Sequence, residues 1–138
     1  MIFGRPRLPE VEARLLSPRL LAHLGDAVFH LFEREREIIS VSSVKDMHKK
    51  TTDRASAISQ AQLLDLITDE LTDQEADIVR RARNVKGGSR RSGQDAYRRS
   101  TAFQALLGYL YLTDGLRLAE ILSRCEPTGS DAKAQGES

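Results

Sequence analysis

The stretch SPRLLAHLGDAVFHLFERERE, residues 17–37, has the features of one complete amphipathic helix. Ser17 is a favourable N-cap, and Pro18 suits the first helical position because the amide hydrogen that proline lacks would be unpaired there. Apolar side chains then recur at spacings of three and four, namely Leu20, Leu21, Leu24, Val28, Leu31 and Phe32. The pattern predicts a helix from Pro18 to about Glu37 with this stripe facing the core.

Two residues in the middle of this helix depart from a plain amphipathic pattern. Asp26 lies opposite the apolar stripe, where a carboxylate is ordinarily solvated. Gly25 costs roughly 1 kcal/mol relative to Ala inside a helix, which indicates that another element approaches closely. The last predicted helix repeats the arrangement, with Gly108 one turn after Gln104. Packing of the two helices through their glycines would bring Asp26 and Gln104 together.

The rest of the chain predicts further helices and no strand. The first of them follows Ser43, and the second spans residues 53–67. The third starts at Thr72, with Glu75 as its capping-box partner, and ends near Asn84. The fourth begins between Asp95 and Thr101 and either kinks or restarts after Asp114-Gly115. In the second of these, the expected inward residues are Ala55, Ile58, Ala61, Leu64 and Ile67. We therefore expect an all-α domain over residues 17–125, a lead-in over 1–16 and a disordered tail over 126–138.

Composition excludes several classes of protein. The chain has 138 residues and a formal charge of +1, typical of one globular domain. Cys125 is the single cysteine, which excludes an internal disulfide framework and a multi-cysteine zinc site. The N-terminus lacks the apolar stretch of a signal peptide, and no run approaches the roughly 18 apolar residues of a membrane span. These features favour a cytoplasmic location.

Charge is unevenly distributed despite the near-zero total. Six acidic residues and no basic ones lie within residues 65–77, whereas residues 80–99 hold eight basic residues and one acid. This second stretch, with a charge of +7, also contains Gly87, Gly88 and Gly93. It reads either as an ordinary solvated surface or as a flexible basic loop suited to contact with phosphates.

Several motifs together resemble one known family. HLGDAV at residues 23–28 resembles the signature helix of the ribonuclease III family. The short form of that family, Mini-ribonuclease III, is similar to this chain at MHKK (47–50), ASAISQA (55–61), RRARNVKGG (80–88) and YRRSTAFQALLGYLYL (97–112). The resemblance runs in order from about Leu20 to Leu122. The chain ends where the long form continues into a double-stranded-RNA-binding domain, which the short form lacks.

The resemblance implies an all-helical, homodimeric endoribonuclease that uses Mg²⁺ to cut double-stranded RNA. For the short form it implies a precursor of 23S ribosomal RNA as substrate, and it leaves room for a ribosomal protein as a further partner. Asp26 matches a metal-binding Asp of the family. Ala22 and Thr101 replace two carboxylates of the long form, as is usual in the short form. Gln104 stands where the family has a Glu, so it is the second expected site position.

Gln104 admits three explanations: an introduced substitution, a natural loss of activity, or completion of the site by another carboxylate or by RNA phosphate oxygens. The residues expected to contact RNA are His48, Lys49, Lys50, Arg83, Asn84, Lys86, Arg90, Arg91 and Arg98. Three functions follow: a Mg²⁺-dependent endoribonuclease, a silent double-stranded-RNA-binding module, and a helical protein-interaction domain. The basic segment argues against the third.

Overall fold

The computed structural model describes residues 1–40, 56–85 and 94–126, and within these ranges the chain is all-α without strands. The helices are α1 (Glu10–Leu15), α2 (Pro18–Ser40), α3 (Ala57–Ile67) with a 3₁₀ turn at Thr68–Glu70, α4 (Asp73–Arg83), α5 (Gln94–Thr113) and α6 (Gly115–Arg124). The all-α fold class is thereby confirmed. The short helix predicted after Ser43 and the tail beyond residue 126 lie outside the described ranges. None of the described helices combines the length and apolar character needed to cross a membrane.

Helix α5 is the centre of the fold. It packs against α2, α3 and α4 and also contacts α1 and α6. The aromatic ring of Phe103 on α5 packs edge-on against the ring of Phe29 on α2, with ring centroids 5.5 Å apart and ring planes at 79°. The apolar α5 residues Phe103, Leu106, Leu107 and Leu110 are buried, and Tyr111 is partly buried. A helix covered on so many sides is apolar around most of its circumference, as residues 102–112 are apart from Gln104.

The buried face of α2 differs from the predicted leucine stripe. Leu20 is 60% exposed and Leu31 is 47% exposed, whereas Ala22, Gly25 and Phe29 are buried. The small residues let the backbone of α2 approach α5, and this close packing selects the face that is buried. The prediction of the helix itself is confirmed: it begins at Pro18 and continues to Ser40.

Helix α3 begins later than predicted. Ser56 is its N-cap, with a side-chain oxygen that accepts a hydrogen bond from the Ser59 amide at 3.1 Å, so the helix starts at Ala57 and not near residue 53. Its buried stripe consists of Gln60, Ala61, Leu64 and Ile67. Ile58 falls on the opposite side of that stripe and is exposed, so its predicted inward position is wrong.

The other helix ends follow their local sequence signals. Thr72 and Glu75 form the predicted capping box, and α4 ends at the C-cap Asn84. Helix α5 begins at Gln94, one residue before the predicted range. After Thr113 the chain restarts as a new helix, because the Asp114 side chain accepts a hydrogen bond from the Arg117 amide at 3.0 Å.

An ion pair joins the start of α4 to α6. Glu75, which is 4% exposed, accepts two hydrogen bonds of 2.9 Å from Arg117, one on each carboxylate oxygen. Burial alone would raise the pKa of Glu75. The hydrogen bonds from Arg117 and the Thr72 amide, with the positive charge of Arg117, outweigh burial and lower that pKa.

The lead-in also packs on the domain. The Leu8 amide donates to the Leu112 carbonyl at 2.8 Å, and Ala13 on α1 is fully buried. Arg81 on α4 donates to the Arg14 carbonyl at 2.9 Å. The sequence did not predict α1. Contacts with α5 and with α4 hold this part of the chain in place.

Candidate active site

Helices α2 and α5 touch at their backbones through two glycines. A Cβ atom on Gly25 would overlap the carbonyl oxygen of Gln104 and would lie 2.8 Å from the backbone nitrogen of Gly108. A Cβ on Gly108 would in turn overlap the carbonyl oxygen of Leu21. The predicted glycine-mediated packing is confirmed, because only residues without a Cβ allow this separation.

This crossing places Asp26 and Gln104 side by side, as predicted. Gln104 Nε2 lies 3.2 Å from Asp26 Oδ1, across 78 residues of sequence. The same nitrogen lies 3.0 Å from Oε1 of Gln60 on α3. Gln60 is 1% exposed, whereas the Asp26 side chain is 49% exposed. Three helices therefore form a polar cluster (Asp26, Gln60 and Gln104) that is buried at one end and open at the other.

The orientation of both amides follows from the carboxylate. An ionised Asp26 only accepts hydrogen bonds, so the Gln104 atom facing it must be the nitrogen. The second hydrogen of that NH₂ group then points to Gln60, which must present its oxygen. Reversing the Gln104 amide would replace both hydrogen bonds by oxygen–oxygen contacts, at a cost of roughly 1–3 kcal/mol for each unsatisfied group.

His30 is a further neighbour of Asp26. Its Nε2 lies 3.4 Å from Asp26 Oδ1, one helical turn along α2. The spacing of four residues between Asp26 and His30 is the signal in the sequence that indicates this contact. Gln60 could not be predicted as a member of the cluster, because nothing in the sequence near Gln60 links it to a residue 44 positions away.

The cluster does not fit a divalent cation in the form seen in the free chain. Mg²⁺ takes oxygen ligands, but the Gln104 atom nearest Asp26 is a nitrogen that donates. Ala22 has no side-chain oxygen, and the Thr101 hydroxyl donates to the Tyr97 carbonyl of its own helix at 3.0 Å. Within the described residues, no group of three His, Cys, Asp or Glu side chains is placed to hold a metal ion.

The described basic residues at the ends of α4 and α5 are largely paired with acids. Arg83 lies 3.7 Å from Asp95, which brings the end of α4 close to the start of α5. Arg99 bonds Asp95 at 2.9 Å and also pairs with Asp65 of α3. Exposed pairs of this kind are weak, so phosphates could compete with their acids.

The residues expected to contact RNA are placed only in part. Arg83 and Asn84 are exposed at the C-terminal end of α4. Arg98 is half-buried on the first turns of α5, with a buried Nε that has no hydrogen-bond partner among the described residues. The remaining members of the set, which lie outside the described ranges, are His48, Lys49, Lys50, Lys86, Arg90 and Arg91. Their contact with RNA stays a prediction.

An apolar groove lies between α2 and α6. Its volume is about 280 Å³, and its walls include Val28, Leu31, Phe32, Leu118 and Leu122. Of the predicted apolar stripe of α2, Val28, Leu31 and Phe32 line this groove, whereas Leu20 does not.

Comparison with known proteins agrees with these features. A family model described as the ribonuclease III domain matches residues 19–115. The Mini-ribonuclease 3 of Synechocystis sp. is 41% identical over 119 residues, covering 86% of this chain and 82% of the relative. That of Gloeobacter violaceus is 43% identical over 117 residues, covering 84% and 87%. A crystal structure of a Fusobacterium nucleatum protein superposes with a TM-score of 0.69 at 26% identity, covering 79% of this chain and 84% of that one.

Proposed function

The chain belongs to the ribonuclease III family, and from this membership we propose that it is an endoribonuclease that cleaves double-stranded RNA. The observation that carries the proposal is the glycine crossing of α2 and α5. It places Gln104 beside Asp26, which matches a metal-binding Asp of the family in sequence, and leaves the Asp26 side chain half exposed. The half-exposed Asp26 carboxylate is therefore accessible to a phosphodiester.

The finer parts of the proposal come from the short form of the family. We propose a precursor of 23S ribosomal RNA as the substrate, Mg²⁺ as the cation of cleavage, the cytoplasm as location and a ribosomal protein as an optional partner. The free cluster does not fit Mg²⁺, so the chain's own contribution is to position Asp26 and to bind the RNA backbone. Further oxygen ligands for a cation would have to come with the RNA phosphates.

Recognition of the RNA would rest on its backbone. Arg83, Asn84 and Arg98 lie at the ends of α4 and α5, within the basic segment of residues 80–99. A-form RNA is recognised mainly through phosphates, 2′-hydroxyls and shape, which suits arginine and asparagine side chains. Arg83→Gln and Arg98→Gln should each weaken RNA binding and flatten its dependence on salt. Arg124→Gln, an exposed control on α6, should leave both unchanged.

A second copy of the chain is the proposed occupant of the apolar groove. The groove walls include Leu31, whose side chain is 47% exposed, and the family implies a homodimer. Leu31→Glu should convert a dimer to a monomer in analytical ultracentrifugation. Leu116→Glu is the matched control, since Leu116 is 87% exposed and does not line the groove. A dimer that survives Leu31→Glu would place the contact elsewhere.

A catalytically silent double-stranded-RNA-binding module is the second candidate. The specific observation in its favour is the Gln104 amide, whose nitrogen occupies the side of Asp26 where a second carboxylate would help bind a cation. Such a protein would bind the same RNA with the same dependence on salt and would release no product.

Cleavage of a double-stranded precursor RNA by three proteins separates these candidates. The given sequence, Gln104→Glu and Asp26→Asn are compared with Mg²⁺ and with Mn²⁺. Cleavage by the given sequence that Asp26→Asn abolishes supports the endoribonuclease. Cleavage by Gln104→Glu alone supports the silent module. RNA binding by none of the three, at low salt, would contradict both.

A further inference from the structure

The two ends of Gln104 are fixed by different helices. Its backbone carbonyl is pressed against Gly25 of α2, and its side-chain nitrogen is held by Gln60 of α3. Gln60 is almost fully buried and lies on the inward stripe of a helix whose start is fixed by the Ser56 cap. The side chain that meets Asp26 is therefore held on both sides by ordered structure.

We propose that Gln60 is a positioning residue that locks the Gln104 amide against Asp26, so that in the free chain a neutral donor takes the place of a divalent cation. The NH₂ group has two hydrogens and two acceptors, at 3.2 Å on Asp26 and 3.0 Å on Gln60. Each hydrogen satisfies one oxygen, and the three side chains stay together without an ion between them.

This arrangement opposes cation binding at the same carboxylate oxygen. Asp26 Oδ1 already faces the Gln104 nitrogen and lies 3.4 Å from His30 Nε2. A cation on that oxygen would meet the positive end of the amide dipole and would have to break its bond to Asp26. Turning the amide to offer its oxygen would place that oxygen against Gln60 Oε1, so Gln60 resists the reversal.

Nuclear magnetic resonance of the full chain, labelled with nitrogen-15, tests in the absence of RNA whether Gln60 holds the Gln104 amide against Asp26. The side-chain NH₂ signals of Gln104 are identified by their loss in Gln104→Glu. In the given sequence both protons should exchange slowly with solvent, and millimolar Mg²⁺ should not shift them. Gln60→Met, which removes the acceptor, should speed exchange of one proton. Gln60→Glu, which restores an acceptor, should recover the protection.

Thermal unfolding provides the second readout. Gln104→Glu places two carboxylates side by side and should be less stable than the given sequence in the presence of a chelator. Mg²⁺ should then raise its melting temperature in a saturable way, and the Asp26→Asn, Gln104→Glu double variant should lose that response. The given sequence should show no saturable response.

Two results would overturn the proposal. One is fast, unprotected exchange of both Gln104 side-chain protons in the given sequence. The other is a saturable Mg²⁺-dependent shift of those signals that Asp26→Asn removes. Both results are measured on the protein without the Gln104→Glu substitution. They can therefore be interpreted even if the Gln104→Glu variant fails to fold. Neither depends on whether the chain cleaves RNA, so failure here is distinct from failure of the endoribonuclease proposal.

Discussion

Glu75 and Asp26 are carboxylates that each meet a side chain from a distant helix, yet their environments differ. Glu75 is 4% exposed and shares two 2.9 Å hydrogen bonds with the guanidinium of Arg117. The Asp26 side chain is 49% exposed and meets the neutral amide of Gln104 at 3.2 Å. Full charge compensation and burial make the first an anchor between α4 and α6. A hydrogen bond from a neutral group and the exposure of its side chain leave Asp26 able to interact with a ligand.

The contrast reflects how each pair is positioned. Glu75 is held by its own helix, since it completes the capping box with Thr72 before it reaches Arg117. Asp26 is positioned by the backbone contact of Gly25 with α5. The structural pair thus relies on side-chain bonds, whereas the candidate active site relies on the approach of two helices.

The largest effect is expected from Gly25→Ala. The added Cβ would overlap the Gln104 carbonyl oxygen, so the two helices must separate, and the loss in unfolding free energy should exceed about 3 kcal/mol. Urea unfolding measures it. Gly115→Ala is the matched control, because its Cβ would meet nothing within 4 Å. Equal midpoints for the two variants would show that α2 and α5 are not in backbone contact.

A smaller effect is expected at the anchor. Arg117→Met leaves Glu75 buried without its cationic partner and should cost about 2 kcal/mol of unfolding free energy, reduced from the usual range because Arg117 is partly exposed. Arg124→Met removes a 3.2 Å pair with Glu70 on the surface and should change stability by less than about 0.5 kcal/mol. A comparable loss in both variants would mean that burial does not distinguish the anchor from a surface pair.

The anchor should also give the stability a dependence on pH. The folded-state pKa of Glu75 is lowered from its ordinary value of 4.5, so its stabilising contribution is complete above that value. The contribution should be lost as the pH falls through the lowered pKa. Unfolding free energies of the given sequence and Glu75→Gln, measured from neutral to acid pH, should converge at low pH. Parallel curves would contradict the role of the Arg117 pair.

Local signals in the sequence predicted much of the fold. The capping residues Thr72 and Asp114 set helix starts because a side-chain oxygen satisfies an amide that the helix leaves unpaired. Gly25 and Gly108 predicted the crossing of α2 and α5 because a glycine inside a helix is unfavourable unless tertiary structure requires it. The proximity of Asp26 and Gln104 followed from that crossing.

Other features depend on contacts that no local pattern specifies. The leucines at positions 20 and 31 predicted the buried face of α2 by hydrophobicity, but the fold buries the face with the smaller residues because α5 must approach there. Ile58 was expected inside for its apolar side chain, yet polar Gln60 occupies the buried stripe. The buried Gln60 accepts a hydrogen bond from Gln104, a pairing that only the assembled helices reveal.

The coupling between Asp26 and Gln104 is the smallest of these effects and bears most directly on the candidate active site. A double-mutant cycle with Asp26→Ala and Gln104→Ala, followed by urea unfolding, measures it. Their hydrogen bond should give a coupling of about 1 kcal/mol. The control cycle of Asp26→Ala with Gln62→Ala, an exposed glutamine on α3, should give none. A coupling of zero in the first cycle would show that the neutral amide does not hold the carboxylate.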